Sequence, residues 1–347
     1  MNKLMILFLL LFCFSMASDF MQEATTAYEN KNYKVAIPIL KALAAQNNAD
    51  AQYTLAGAYE EGNGVPVDYK QAFILYEKAA AKSNVWAQYK LGVFYEEGKG
   101  CKQDYKTAAN LYDKASSKGN EWALYKLGIL YEKGLGVKQN YTTAFQLYEK
   151  ASKKDNVWAQ YCLGILYEEG KGVQKDQEAA AELYEVAANQ GNEWAQYKLA
   201  VLYEEGNGVS KDFEKAADLY IKAADQGNSW AQYKLGLMLE EGRGSDVDCE
   251  TASKWYEKAV RQNNDWAKLH LASFYSLGKG VPKNYAKAYS ILQSIKDPKF
   301  GGIKSAEELK GMVKSMMPAN SIESKTEKQP EPKQKATTKA KAKAIKK

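Results

Sequence analysis

Alanine returns every 36 residues, at Ala51, Ala87, Ala123, Ala159, Ala195, Ala231 and Ala267. Glycine pairs keep the same interval, from Gly62 and Gly64 to Gly278 and Gly280. A period of this length is the mark of stacked supersecondary units, because one such unit cannot bury its apolar face alone. The chain is therefore expected to extend by repetition rather than close around a single core.

One copy, residues 84–119, shows what each unit builds. Asn84 is placed to cap a helix that runs through "VWAQYKLGVFYEE". Ala87, Leu91 and Tyr95 recur at i, i+4 and i+8 and define a packing stripe. Gly92, in mid-helix, costs about 1 kcal/mol relative to Ala, so a neighbouring helix is expected to approach closely there; Ala56 and Ala200 at the same position agree. Gly98 suits a left-handed helix end, and Asp104 suits the cap of a second helix. That second helix carries Tyr105, Ala108, Tyr112 and Ala115 on one face and ends at Gly119, after which Asn120 caps the next unit. Each copy reads as an antiparallel helix pair.

The pattern A-x-Y-x-L-G-x-x-Y-E-x-G-x-G-V-x-x-D-Y-x-x-A-x-x-L-Y-x-K-A-A resembles the Sel-one-like repeat, a relative of the tetratricopeptide repeat with a longer loop inside each unit. The resemblance implies an all-α fold, a right-handed α-solenoid superhelix of antiparallel helix pairs. It covers seven tandem copies over residues 51–302. Residues 18–50 resemble a shorter tetratricopeptide-like helix pair suited to an N-terminal cap, with "YENKNY" in place of the Gly-x-Gly loop. Residues 303–318 are expected to form a C-terminal capping helix, and the Lys/Ala-rich residues 319–347 a disordered basic tail.

Charge and termini bound the setting. The tail holds nine Lys and three Glu, so it carries the whole excess of the net charge of +6 and leaves the body nearly neutral. At the other end, Lys3 precedes an apolar run from Leu4 to Phe14, and Ser15 to Ala17 offers small residues for cleavage. That reads as a signal peptide over residues 1–17, too short to span a bilayer. The protein is expected to be exported, periplasmic or secreted, or in a secretory lumen if the host is a eukaryote. No later apolar run is long enough for a transmembrane segment. Cys101, Cys162 and Cys249 fall at three different repeat positions and are expected to be free thiols.

A search for chemistry leaves no catalytic, cofactor-binding or metal site expected. The single histidine, His270, stands where other copies have Lys90, Lys126, Lys198 and Lys234, and reads as a solvent-facing helix residue. Ser276 and Lys279 form the one Ser-x-x-Lys, the motif of β-lactam-hydrolysing serine enzymes, but it straddles Gly278 in the loop and lacks the partner motifs S-D-N and K-T-G. A β-lactam hydrolase, suggested by some cysteine-rich relatives, is thus a remote alternative.

A second face of the first helix remains. Trp86, Tyr89 and Val93 lie at i, i+3 and i+7. The tryptophan recurs as Trp122, Trp158, Trp194, Trp230 and Trp266, and the tyrosine as Tyr125, Tyr161, Tyr197 and Tyr233, with Tyr53 in the first copy. In the related tetratricopeptide family these positions line a concave, ligand-contacting surface. Two readings stand: the indoles seal the seams between units, or they form an aromatic track for an extended partner. Beyond them lie Glu pairs such as Glu96/Glu97 and Glu204/Glu205, which read as solvated or as an acidic rim. The resemblance implies a non-enzymatic adaptor, a monomer holding a protein or peptide segment. An envelope glycan or peptidoglycan ligand is the alternative for the same aromatic face. The tail is suited to anionic polymer or lipid head groups, and with an exported chain no nucleic acid partner is expected.

Overall fold

The computed structural model describes residues 19–295 and 303–317. The expected signal peptide and basic tail lie outside them. Every element among the described residues is a helix. The chain divides into two units: Met1–Met238 with Gly242–Asp246, and Leu239–Glu241 with Val247–Lys347.

The first unit opens with α1 (19–29) and α2 (Tyr33–Ala45). It continues with α3 (Ala49–Glu61), α4 (Tyr69–Ala81), α5 (Val85–Glu97), α6 (Tyr105–Ser117), α7 (Glu121–Lys133) and α8 (Tyr141–Ser152). Next come α9 (Val157–Glu169), α10 (Gln177–Asn189), α11 (Glu193–Glu205), α12 (Phe213–Asp225) and most of α13 (Ser229–Glu241). The second unit takes the end of α13, then α14 (Cys249–Arg261), α15 (Asp265–Leu277), α16 (Tyr285–Gln293) and α17 (Ile303–Met316). Within each unit consecutive helices pack on one another, the arrangement of an α-solenoid.

Capping residues set the boundaries. Asn48, Asn84, Asn120, Asn156, Asn192, Asn228 and Asn264 each accept a hydrogen bond from the amide of the alanine three residues on. That satisfies one of the donors a helix start leaves open. Asp68, Asp104, Asp176, Asp212 and Asp248 do the same for the second helix of their copies.

The two glycines of each loop do different work. Gly98 ends α5 in the left-handed region, at φ 69°. Gly100, also at φ 69°, lies on the start of the preceding copy's second helix, where a Cβ would come within 2.2 Å of the Tyr69 carbonyl oxygen. Gly136, Gly172 and Gly208 repeat that approach on Tyr105, Tyr141 and Gln177. The second glycine therefore joins one repeat to the one before it.

The close approach expected at Gly92 is also present, and its partner is a ring. A Cβ there would lie 2.6 Å from Cε1 of Tyr112. Tyr76, Tyr112, Tyr148, Tyr184 and Tyr220 are all fully buried in this way between the helices of their own pair. The core is completed by Phe94, Leu130, Leu166, Leu202 and Met238, one position before the Tyr95 of the expected stripe.

Candidate functional site

The first helix of each pair carries three layers on its unpacked side. Outermost are the tryptophans. Trp86, Trp158 and Trp230 are exposed at 44, 38 and 40%, whereas Trp122, Trp194 and Trp266 are half-buried. Each exposed indole presents on the order of 100 Å² to water, so covering one is worth about 2 kcal/mol. Trp86 meets Tyr89 edge to face at 6.3 Å, and Trp230 meets Tyr233 at 6.5 Å.

The tyrosines form the second layer. Tyr53, Tyr89, Tyr125, Tyr161 and Tyr197 each lie 5.8–6.1 Å from the buried tyrosine of their own copy, with tilted rings. Burial, with help from neighbouring Glu charges, pushes the Tyr89 and Tyr197 phenols up to about 12, so both stay neutral hydrogen-bond donors. This layer belongs to both readings of the sequence: it packs inward and still reaches the surface.

Beneath lies an ionic ladder. The first Glu of each pair, and Glu132 of Glu132–Lys133, accepts a hydrogen bond from the buried tyrosine 16 residues on: Tyr76 to Glu60 at 2.7 Å, Tyr112 to Glu96 at 2.5 Å, Tyr148 to Glu132 at 2.6 Å, Tyr184 to Glu168 at 2.5 Å, Tyr220 to Glu204 at 2.6 Å. A lysine from the next copy pairs with the same carboxylate in four of the five cases. These are Lys90 with Glu60, Lys126 with Glu96, Lys198 with Glu168 and Lys234 with Glu204, all at 3.0–3.1 Å. Burial works against ionisation of Glu204. Tyr220, Lys234 and Arg243 outweigh it and hold its carboxyl below the ordinary range.

Two sequence readings are corrected here. His270 is not simply solvent-facing: its Nδ1 lies 3.0 Å from Glu240, its ring lies over Tyr256 at 5.3 Å, and Lys279 reaches the same carboxylate at 3.0 Å. It takes the ladder's lysine place in the second unit. The Glu pairs are also not uniform: the second Glu, as in Glu97 and Glu205, is exposed, while the first is half-buried or buried and hydrogen-bonded. Nothing in the pattern of charges separates the two. The signal that does is the tyrosine at a fixed distance of 16 residues.

Buried glutamines were also missed. Gln52, Gln88, Gln196 and Gln232 send Nε2 to the carbonyls of Ala44, Ala80, Ala188 and Ala224, near the end of the preceding helix. They tie each copy to the one before. Of the Ser-x-x-Lys residues, Ser276 Oγ donates to the Ser273 carbonyl and Lys279 pairs with Glu240, so the two do not face one another as nucleophile and base. Cys101, Cys162 and Cys249 are free.

All three layers meet in one place in the first unit. Tyr161, Trp194, Tyr197, Lys198 and Trp230, from three successive copies, line an open cavity of about 230 Å³. Its walls are aromatic and its single charged member is a ladder lysine. Among the described residues no group of His, Cys, Asp and Glu could hold a metal, and no helix is long and apolar enough to cross a membrane.

Stacked helix pairs with small residues at the seams and a repeated aromatic face define a helical-repeat scaffold. The family profile of the Sel1 repeat matches residues 49–84, 87–120, 123–156, 159–192, 195–228, 231–264 and 267–294, and the chain belongs to the Sel1 repeat family. It is similar to c5321, a protective antigen present in uropathogenic Escherichia coli strains that displays an SLR fold. The two are 32% identical with a TM-score of 0.74, over 87% of this chain and 68% of the other. It is also similar to a Sel1 repeat protein from Oxalobacter formigenes, at 30% identity and a TM-score of 0.65, over 72% of this chain and 98% of that one. No curated protein is a significant match to the chain. Sel1 repeats are in general non-catalytic scaffolds that mediate protein–protein interaction.

Proposed function

We propose that the chain is a non-enzymatic adaptor, exported and monomeric, that holds an extended polypeptide segment along the Trp/Tyr face of its first unit. The observation that carries this reading is the cavity between Trp194 and Trp230, where side chains of three consecutive copies converge. A groove made by repetition suits an extended partner, which can place one side chain per copy. Exposed indoles at Trp86, Trp158 and Trp230 would each contribute on being covered, and removing them costs the fold little because so much of each ring is already in water. Export rests on the apolar run Leu4–Phe14 followed by Ser15–Ala17. The basic residues 319–347 add a second attachment, to anionic polymer or lipid head groups.

The test selects binding peptides from a displayed library on the mature protein, then measures their affinity for the Trp230→Ala variant. At least a tenfold loss of affinity with a melting temperature lowered by only a few degrees is expected. A collapse of the melting temperature with unchanged affinity would return the indoles to seam packing. Failure to enrich any peptide, with saturable binding of peptidoglycan fragments, would favour the glycan instead.

A further inference from the structure

Among the described residues, the ionic ladder of the first unit has one rung with no cation at salt-bridge distance. Four of its five carboxylates, Glu60, Glu96, Glu168 and Glu204, hold the ammonium of a lysine from the next copy. At Glu132 that position is Cys162. The thiol cannot stand in, since burial and the Glu132 charge push it up to about 12 and keep it neutral. Arg243 reaches Glu204 from a further offset. The residue at that offset from Glu132 is Lys171, which turns away to Glu169 at 2.6 Å. Glu132 keeps the Tyr148 hydroxyl on Oε2, and no cation of the described residues lies within salt-bridge distance.

In sequence this rung lies one period before the groove already described. Its sibling lysine Lys198 lines the cavity with Tyr161, Trp194, Tyr197 and Trp230. One period earlier the same register holds Tyr125, Trp158, Tyr161, Cys162 and Trp194. Tyr125 lies 6.1 Å from Tyr148, the ring whose hydroxyl Glu132 holds. A lysine side chain is longer than cysteine by several atoms and carries the ammonium that the sibling carboxylates pair with, so Cys162 leaves Glu132 without that cation. Aromatic faces next to a desolvated cation add to its binding.

We propose that Glu132, with Tyr125 and Tyr148, forms a binding site for a primary ammonium group, supplied by a lysine side chain of the polypeptide held on the aromatic face. The proposal rests on the peptide-binding reading above and gives it a chemical register: a partner lysine seats at the fourth copy and completes the ladder from outside. An ammonium is the cation that the four sibling rungs hold at this offset.

The probe is Nα-acetyl-lysine methylamide, with the norleucine analogue as its uncharged match, titrated into the full chain while the indole N–H resonances of Trp122, Trp158 and Trp194 are followed by NMR. The lysine compound is expected to bind saturably and at least tenfold more tightly than the norleucine compound. Cys162→Lys, which supplies the ammonium internally, is expected to abolish that preference and raise the melting temperature. Cys162→Ala, which leaves the rung open, is expected to retain it. Equal responses to the two compounds, no saturable response, or a lysine preference that survives Cys162→Lys would each overturn the site. Library-selected peptides that bind in a Trp-dependent way without a lysine preference would sink this inference and leave the peptide-binding reading standing.

Discussion

Glycines at two places of the repeat share a left-handed backbone but not a neighbourhood. Gly191, at φ 88°, has nothing within 4 Å of where a Cβ would sit. Gly136, at φ 68°, would drive a Cβ to 2.3 Å from the Tyr105 backbone carbon. Gly191→Ala is therefore expected to cost only the left-handed penalty, about 1–2 kcal/mol. Gly136→Ala must also push two repeats apart, and should cost at least about 2 kcal/mol more. Chemical denaturation of the two variants separates the terms, and equal losses would show that the seam yields freely. At the same scale, Lys126→Met leaves Glu96 half-buried without its cation. A loss of about 1–2 kcal/mol is expected from the broken charge-assisted contact, read from the same curves; an unchanged midpoint would mean that the ladder is only decorative.

Helix termini are where the sequence spoke most clearly. Asn84, Gly98 and Asp104 read as boundaries by residue type and spacing, and the structure uses each for the bond that its chemistry allows. What the pattern could not tell was which polar side chains a neighbour covers. Glu96 and His270 read as helix-surface residues because periodicity gives a face, whereas burial depends on the adjacent copy. The fully buried Phe94 was passed over for the same reason, lying one position off the expected stripe. The helix-end carboxylates also carry a pH signature. Burial alone would raise Glu240, but hydrogen bonds from His270, Tyr256 and Lys279 lower it from an ordinary 4.5 to about 2. A depressed carboxyl contributes stability in full above about pH 4.5 and loses it as the pH falls toward 2. Glu240→Gln is expected to flatten that part of the stability profile. An acid limb as steep as the native one in urea melts at pH 5 and pH 3 would place the sensitivity elsewhere.

On the scale of the whole chain, a 36-residue period makes the architecture legible, because one copy cannot bury its whole apolar face without stacking on its neighbours. The same periodicity aligned the tryptophans in sequence, although it gave no measure of their burial. The structure adds that Trp86, Trp158 and Trp230 stand further into water than Trp122, Trp194 and Trp266. Glutamines, glycines and the Glu–Lys–Tyr rungs also tie successive copies together. The most direct measurement is an alanine scan of Trp86, Trp122, Trp158, Trp194 and Trp230, one at a time, recording affinity for a library-selected peptide alongside melting temperature. Losses of affinity at neighbouring positions, with small thermal shifts, are what a recognition track requires. Affinity indifferent to every indole, with melting temperatures falling at each, would contradict it.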